Sequence, residues 1–347
     1  MQTKIESFRK QAGLSQADVA KKAAMPRQQY KRIENNEVSP TLNSLQRIAG
    51  ALGCSAKDLL IEAKKRSTWV LVNLKGGVGK TTQTIIIAQL LSELGYKTVI
   101  LDNDPQASIT GIFIKWLLLH DEKQAAEIHK QVLKHNIYTL MKGDSVLSDC
   151  LLKNDKIPFQ VIGATEKFKD APTFFQDTPG KDNLQKIKLS SLDCDFLIID
   201  TPGTFNANIN WSLAQADQVI VPIETDILSI DPLPEVIARI NQAKTYLNPE
   251  ISSIHLLPNK LDYTTVCRLT LDALNQEYRS YLFYSDNEDL FSVDDKKAEN
   301  SQTEWIVGVH NSAVVSNFIA GLQPLPKKGK SARIYQQCMT FIERLLP

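Results

Sequence analysis

The chain has few cysteines and none of them is paired along the sequence. The five cysteines are scattered through 347 residues, with no C-x-x-C pair and no histidine at metal-ligand spacing. This pattern excludes a disulfide scaffold and a structural zinc site, and it favours packing roles in a reducing compartment. The cysteines are Cys54, Cys150, Cys194, Cys267 and Cys338.

The sequence also lacks a long hydrophobic run. Its N-terminus, MQTKIESFRKQAG, is too polar for a signal peptide, and its longest apolar stretch, ITGIFIKWLLL, is interrupted by Lys115. We therefore expect a soluble, cytoplasmic protein without a membrane partner.

Net charge is nearly absent at +1, but the charge is unevenly distributed. Residues 1–66 carry 13 Lys and Arg against 6 Asp and Glu, a net +7, whereas the remainder carries 27 against 33, a net −6. The length exceeds one typical domain of roughly 100–200 residues. We predict a basic, nucleic-acid-facing domain over 1–66 and a larger domain over 67–347.

Helical periodicity and capping residues divide the first 66 residues into five short helices. Ser15 with Asp18 forms a capping box for the second helix, and Ser55 begins the fifth. The second and third helices are separated only by a tight turn around Ala24-Met25.

The stretch LSQADVAKKAAMPRQQYKRIENNEVSPTLNSLQRIAGALGCSAKDLL resembles the Cro/repressor-type helix-turn-helix. The resemblance implies that the third helix enters the major groove of DNA. It makes Arg27, Gln28 and Arg32 base readers, and Gln16, Lys31 and Asn35 phosphate contacts. The alternative is a solvated face of a small helical bundle, but the +7 charge and the length of the match favour DNA binding.

From Trp69 onward, apolar strands alternate with amphipathic helices, a pattern typical of an α/β fold with a mostly parallel sheet covered on both faces. A helix, TIIIAQLLSEL, ends at Gly95. The predicted strands are TWVLVNL, KTVILDND, FLIID (196–200), QVIVPI (218–223) and SIHLLPN (253–259).

A glycine loop, KGGVGKTT (75–82), lies between the first strand and its helix, where phosphates meet a helix N-terminus. It departs from the common G-x-x-x-x-G-K-[ST] loop because Leu74 occupies the first glycine position. The residues predicted to bind the nucleotide there are Gly76, Gly77, Val78, Gly79, Lys80, Thr81 and Thr82.

Carboxylates follow two further strands. LDNDPQAS places Asp102 and Asp104 at the carboxyl edge of the sheet, where ligands bind in open α/β folds. FLIIDTPG places Asp200 at a Walker B position, suited to Mg²⁺ or its waters, and Gly203 allows a mobile loop after it.

KGGVGKTT, VILDNDPQAS, FLIIDTPG and ADQVIVPI together resemble the ParA/MinD family of deviant-Walker ATPases, and most closely the ParA-type DNA partition proteins. The resemblance covers about residues 68–347. It implies a doubly wound, mostly parallel sheet with a deviant Walker A P-loop, preceded here by a small all-α helix-turn-helix domain. It also implies ATP and Mg²⁺ as cofactors, a face-to-face homodimer, DNA and a ParB-like centromere-binding partner. The chain departs from the family in having DTPG for the commoner DTPP, and a short N-terminal module.

The resemblance assigns both loop lysines. Lys75 would reach the partner subunit's phosphates in trans, like an arginine finger, and Lys80 would bind the β- and γ-phosphates in its own chain. The alternative for Lys75 is a solvated loop lysine. In the same family pattern Thr81 would ligate Mg²⁺, Asp104 would position the attacking water, and Asp102 and Asp200 would support the metal through its waters. Asp104 could instead only shape its loop.

The tetrapeptide NKLD (259–262) does not decide whether the nucleotide base is adenine or guanine. N-K-x-D reads guanine in many GTPases, whereas the family resemblance implies that Asn259 contacts adenine. The lysine-first loop and the DPQ segment favour ATP over GTP.

Basic residues near the C-terminus could contact DNA without sequence preference, as the resemblance implies. KKGKSAR (327–333) offers Lys327, Lys328, Lys330 and Arg333, with Arg268 a further candidate. The alternative is a solvated basic turn. The stretch 285–300 is rich in acids and is predicted to be an exposed loop without an assigned role.

Three functions fit these patterns. The first is an ATP-driven DNA segregation motor whose helix-turn-helix also represses its own operon. The others are a nucleotide-responsive transcription regulator and a positioning ATPase for a non-DNA cargo. The complete set of loop lysines and carboxylates favours hydrolysis, and the basic N-terminal domain adds a site-specific DNA contact.

Overall fold

A computed structural model shows two compact units, residues 1–65 and residues 66–347. The described residues are 5–35, 37–38, 40–56, 59, 66–166, 189–204, 206–292, 305–321, 325–329 and 332–346.

Within its described residues the first unit is a small all-α bundle. Its helices are α1 (Ile5–Gln11), α2 (Gln16–Lys22), α3 (Arg27–Glu34) and α4 (Leu42–Leu52). The predicted capping box is present, because Ser15 and Asp18 bond each other's backbone N–H groups. Most of the predicted fifth helix lies outside the described residues. Buried apolar side chains from all four helices form one core, including Ile5, Val19, Tyr30, Ile33 and Ile48.

The second unit alternates strands and helices in the order that the sequence predicts. Its main strands are β1 (Ser67–Leu71), β2 (Thr98–Asp102), β3 (Leu151–Leu152), β4 (Gln160–Ile162), β5 (Phe196–Asp200), β6 (Gln218–Glu224) and β7 (Ser253–Leu261). Three short strands follow, β8 (Tyr284–Ser285), β9 (Trp305–Ile306) and β10 (Val309–His310).

Helices connect these strands. The first five are α5 (Lys80–Glu93), α6 (Ser108–Leu118), α7 (Glu122–Lys134), α8 (Ile137–Lys142) and α9 (Leu147–Cys150). The others are α10 (Ala207–Gln215), α11 (Leu233–Tyr246), α12 (Thr265–Glu277), α13 (Glu288–Phe291), α14 (Ala313–Ile319) and α15 (Arg333–Leu345).

Among the described residues the main sheet has eight strands in the order β10-β7-β6-β1-β5-β2-β4-β3. Every neighbouring pair is parallel except β3 with β4. The chain starts near the middle of the sheet and winds toward both edges, so the predicted doubly wound, mostly parallel fold is confirmed. β8 and β9 form a separate two-stranded antiparallel sheet.

Both faces of the main sheet are buried, because successive strand side chains point to opposite sides. In β1, Trp69 and Leu71 pack into a core with α5, α6, α7, α14 and α15. The intervening Val70 packs into a second core with α8, α10, α11 and α12. This double burial explains why the central strands read as continuous apolar runs.

Two details differ from the sequence prediction. β1 ends at Leu71 rather than at residue 74, because the Asn73 side chain bonds Pro222 O at 2.7 Å and the Lys75 backbone N–H at 2.9 Å, turning the chain out of the sheet. The predicted exposed acidic loop is wrong for its described part: α13 buries Leu290 and Phe291 in the core that contains Trp69. Residues 293–300 lie outside the described residues.

Candidate nucleotide site and DNA-facing surfaces

The glycine loop joins β1 to α5 through two glycines with positive φ, Gly77 at +78° and Gly79 at +96°. These angles lie in the left-handed region that glycine tolerates best. A Cβ on Gly79 would also come within 2.3 Å of Asn259 Nδ2, so the loop is closed against β7. The backbone therefore reaches the N-terminus of α5 in the geometry of a phosphate cradle.

Lys80, the first residue of α5, is buried and faces the loop. Its Nζ donates to Lys75 O at 3.3 Å. Burial lowers the pKa of Lys80, and the charges of Asp200 and Asp104 act in the opposite direction. A buried ammonium at the N-terminus of a helix, next to a glycine loop, is suited to an anion with several oxygens.

Asp200 ends β5 and is fully buried next to α5. Its Oδ2 accepts from Thr81 Oγ1 at 2.7 Å, and its Oδ1 accepts from Thr84 Oγ1 at 3.5 Å. Burial, followed by the charge of Asp102, raises the pKa of Asp200 to about 8. The carboxylate form therefore needs a cation beside it to be favoured at neutral pH.

Asp102 is the register partner of Asp200 on the neighbouring strand β2. Its Oδ2 accepts from the backbone N–H and the hydroxyl of Thr110, at 2.9 and 2.7 Å. Burial raises its pKa to about 6, against the hydrogen bonds from Thr110. Asp104, two residues on, is half-buried, and its Oδ1 accepts from the Gln106 N–H at 2.9 Å.

The donor set fits a magnesium ion better than a transition metal. Among the described residues there is no cluster of three or more His, Cys, Asp and Glu side chains that could enclose a metal. Mg²⁺ is usually bound by one or two protein oxygens together with waters and substrate phosphates. The Thr81 hydroxyl would ligate it, and Asp200 and Asp102 would support it through its waters.

Lys75 does not point into solvent. Its Nζ donates to Asp226 Oδ2 at 2.6 Å and to Ser229 Oγ at 2.7 Å, and Glu224 Oε2 lies 3.7 Å away. Glu224 also pairs with Lys260 at 2.9 Å. Burial raises the pKa of Asp226, but the hydrogen bond and charge of Lys75 outweigh it and leave the pKa below its usual value.

Sequence reasoning missed the two acids that surround Lys75, Asp226 and Glu224. Asp226 and Glu224 come at the carboxyl end of β6, the strand next to β1, in IETDILS. Because parallel strands end at the same edge, this position was a readable signal that acids would face the loop.

Asn259 fastens the loop to β7. Its Nδ2 donates to Val78 O at 2.8 Å, and its Oδ1 accepts from Gln83 Nε2 at 3.0 Å. Asp262 Oδ1 accepts from the N–H of Thr264 at 3.0 Å and from its hydroxyl at 2.5 Å, and Thr264 is the N-cap of α12. Both side chains are occupied within the protein, so the choice between adenine and guanine stays a prediction.

The helix-turn-helix unit presents its predicted DNA contacts unequally. Gln16 is half-buried, and its Nε2 donates to the buried carboxylate of Glu34. Glu34 also accepts from Arg9 Nε at 2.6 Å and from Tyr30 Oη at 3.1 Å. This network, which the sequence analysis did not anticipate, joins α1, α2 and α3. The other predicted contacts are exposed: Arg27, Gln28, Lys31, Arg32 and Asn35.

An AAA domain family model matches residues 67–253, and a helix-turn-helix family model matches residues 5–59. The chain belongs to the ParA/MinD-like AAA domain family. Its similarity to the chromosome-partitioning ATPase Soj of Thermus thermophilus is 24% identity over 220 residues, 62% of this chain and 77% of the relative. The chromosome partitioning protein ParA of Myxococcus xanthus is 25% identical over 219 residues, 60% of this chain and 72% of the relative.

Solved structures show the same fold. A putative plasmid partition protein from Borrelia burgdorferi bound to AMPPNP superposes with a TM-score of 0.58 at 20% identity, covering 81% of this chain and 100% of that one. An ATP complex of a variant of McdA from Cyanothece gives a TM-score of 0.62 at 17% identity, covering 81% of this chain and 96% of that one.

The C-terminal cations of this ParA/MinD-like chain differ in their surroundings. Arg333 donates to Leu290 O and Ser292 O, both at 2.9 Å, and to the Tyr263 hydroxyl. These bonds oppose the prediction that Arg333 contacts DNA, because its guanidinium already anchors the segment around α13. Lys327 pairs with Glu93 at 2.8 Å.

Of the other candidates in this region, Lys328 and Arg268 are exposed and Lys330 lies outside the described residues. Across the described part of the chain, no helix has the length and apolar character needed to cross a bilayer.

Proposed function

We propose that the protein is an ATP-dependent DNA partition ATPase of the cytoplasm. In this proposal an ATP-bound homodimer binds DNA at the nucleoid, and a ParB-like centromere-binding partner stimulates hydrolysis. The observation that carries the proposal is the convergence of Lys80, Thr81, Asp104 and Asp200 around a lysine-first glycine loop. A protein that only sensed a nucleotide would not need a carboxylate for water beside a metal position.

The chain's own residues divide the work of hydrolysis. The loop backbone and Lys80 bind the phosphates. Charge-assisted hydrogen bonds to the phosphate oxygens offset the cost of burying the Lys80 ammonium. Thr81 would ligate Mg²⁺ and Asp200 would support it through a water; the ion would neutralise charge on the phosphate oxygens. Asp104 orients the attacking water as a hydrogen-bond acceptor at the adjacent strand end.

Lys75 has two positions in this proposal. Within one chain it is bonded to Asp226 and Ser229. To reach the partner subunit's phosphates it must exchange the Asp226 carboxylate for a phosphate oxygen. Hydrolysis would then depend on dimerisation, because the cation that stabilises the developing charge comes from the other chain.

The N-terminal unit supplies site-specific DNA binding and, by that route, repression of its own operon. Helix α3 places Arg27, Gln28 and Arg32 on an exposed surface, as required for reading base edges in a major groove. The partitioning names of the relatives from Thermus thermophilus and Myxococcus xanthus support segregation as the primary role.

Binding of the full-length protein to random-sequence duplex DNA tests the proposal. A double variant, Arg27→Ala with Gln28→Ala, silences the helix-turn-helix contribution, and binding is measured with ATP, GTP, ADP and no nucleotide. We expect binding that requires ATP and falls steeply with salt concentration. Equal binding in all four conditions would contradict a nucleotide-switched DNA motor, and a response to GTP alone would overturn the choice of ATP.

The exposed α3 surface favours a second candidate, a nucleotide-responsive transcription regulator. In that function the large unit senses ATP without needing rapid partner-stimulated turnover. Repression that responds to ATP together with no ATP-dependent binding to random DNA would favour this candidate over segregation.

A further inference from the structure

The turn between α2 and α3 has the hydrogen-bond pattern of a Schellman motif. The Met25 N–H donates to Ala20 O at 3.0 Å, and the Ala24 N–H donates to Lys21 O at 3.1 Å. Ala24 adopts φ +49° at the position that such motifs usually give to glycine. Because an L side chain disfavours this region, the turn is strained at Ala24.

A side chain from another helix bonds this turn. Arg47, on α4, donates from Nε to Ala23 O at 2.7 Å and from Nη2 to Ala24 O. The two acceptors are the cap residue of α2 and the left-handed residue itself. The planar guanidinium can serve two neighbouring carbonyls at once, which a lysine ammonium does less well.

We infer that Arg47 is a positioning residue for DNA recognition: it holds the strained Ala24 turn and thereby fixes the direction of α3 relative to α2. The inference rests on the proposed site-specific DNA binding by the helix-turn-helix unit. Loss of Arg47 leaves two turn carbonyls without their guanidinium donor and lets the left-handed turn relax. Helix α3 then keeps its side chains, including Arg27 and Gln28, but presents them at a less defined angle.

A different role for Arg47 is a direct phosphate contact, since its side chain is exposed. The two roles predict different losses. A lost phosphate contact weakens binding to all sequences alike and reduces the slope of log K against log salt by about 0.9. A lost positioning contact weakens binding to the preferred sequence and leaves the slope and the binding to random DNA unchanged.

The test uses the full-length protein and a duplex that the wild-type protein enriches from a random-sequence library. We expect Arg47→Ala to lower affinity for that duplex by about tenfold, the size of one charge-assisted hydrogen bond, with less than about a twofold change on a scrambled duplex. The affinity of Arg47→Lys for the enriched duplex should lie between those of the wild type and Arg47→Ala. Ala24→Gly should restore most of the loss in Arg47→Ala, because glycine removes the strain that Arg47 offsets.

Hydrogen exchange in the same full-length variants gives a measurement that needs no DNA. The backbone amides of Ala24 and Met25 should exchange about tenfold faster in Arg47→Ala, and adding Ala24→Gly should slow them again. Gln46→Ala, an exposed neighbour on α4, is the control and should change neither measurement.

Unchanged exchange at the turn in Arg47→Ala, or an equal loss on both duplexes with a reduced salt slope, would overturn the inference. If the wild-type protein enriches no sequence, site-specific binding itself fails, and the exchange result alone decides whether Arg47 holds the turn.

Discussion

The two units use their positive charges in opposite ways. On α3 the cations Arg27 and Lys31 are exposed at the surface of a small bundle. At the glycine loop of the large unit, Lys75 is bonded to Asp226 and Lys80 is buried beside Asp200. The first surface is accessible to a polyanion as it stands, whereas the second would have to exchange internal partners for phosphate oxygens to bind a nucleotide.

This difference suggests a division between constant and switched binding. An exposed recognition helix needs no rearrangement to meet DNA, so its affinity depends on sequence and salt. Without nucleotide, burial disfavours the charged forms of Lys80, Asp102 and Asp200. Bound phosphates and Mg²⁺ would favour these charged forms and so change the electrostatics of the loop. Nucleotide should therefore act on the large unit and leave the intrinsic sequence preference of the small unit unchanged.

The largest effect is expected from Lys80→Ala. Removing the ammonium leaves the phosphates without their buried cation, and we expect ATP affinity to fall at least about 100-fold, with hydrolysis undetectable. Thermal unfolding with and without Mg²⁺-ATP measures this as loss of the ligand-induced rise in Tm.

Lys97→Ala is the matched control for Lys80→Ala, because Lys97 is an exposed lysine paired with Asp193 at 2.8 Å. An undiminished ATP-induced rise in the Tm of the Lys80 variant would mean that the buried cation does not bind the nucleotide.

The proposed trans role of Lys75 can be separated from a role in its own chain. Lys75→Ala should reduce hydrolysis by about 100- to 1,000-fold with ATP affinity nearly unchanged, because its cation acts on developing charge. Asp104→Ala should be similarly inactive.

Mixing these two variants in equal amounts tests the symmetry of the site. A mixed dimer has one site with both groups intact, so about a quarter of wild-type activity should return. No recovery, in a mixture shown to dimerise with ATP, would place Lys75 in its own chain's site.

The buried Asp200 carboxyl should make the free energy of unfolding depend on pH, unlike an exposed carboxyl. Its folded pKa of about 8 lies above the ordinary value, so the folded state binds more protons than the unfolded state between about pH 4 and pH 8. The free energy of unfolding therefore falls as pH rises through this range, and the cost of the buried charge is fully present above about pH 8.

Asp200→Asn removes this cost while keeping an oxygen that can accept from Thr81. We expect the nucleotide-free variant to unfold a few degrees above the wild type at about pH 8.5, with the difference shrinking toward about pH 5. Asp193→Asn, at an exposed carboxylate, is the matched control. A constant difference at every pH would mean that the buried charge is not the cause.

Much of the carboxyl edge of the main sheet, where the glycine loop and the aspartates lie, could be predicted because its residues lie in short, local patterns. FLIID forms β5 over the predicted residues, and Asp102 and Asp200 come together because parallel strands end at one edge. The Lys75–Asp226 bond could not be read from the loop itself, because its partners are 151 residues apart and belong to different elements. Local sequence gives the strand ends, whereas side-chain pairing across them depends on the packed fold.

The two C-terminal cations Lys328 and Arg333 show the same limit. Both lie in one basic stretch, KKGKSAR, and share the same sequence interpretation. Packing separates them: Lys328 is exposed, while Arg333 bonds two backbone carbonyls of the segment around α13. Composition could not distinguish a surface charge from an internal anchor.

Substituting Lys328 and Arg333 one at a time distinguishes a surface charge from an internal anchor. Lys328→Ala should weaken ATP-dependent binding to random DNA modestly and reduce the salt slope by about 0.9, with the Tm unchanged, because one phosphate contact is lost. Arg333→Ala should instead lower the Tm by a few degrees, since the carbonyls of Leu290 and Ser292 lose their donor. Its salt slope, measured below the unfolding transition, should match the wild type. If Arg333→Ala instead reduces the salt slope and Lys328→Ala lowers the Tm, then Arg333 exchanges its carbonyl partners for DNA phosphates. The C-terminal cations would then change partners on binding, as we propose for the loop lysines.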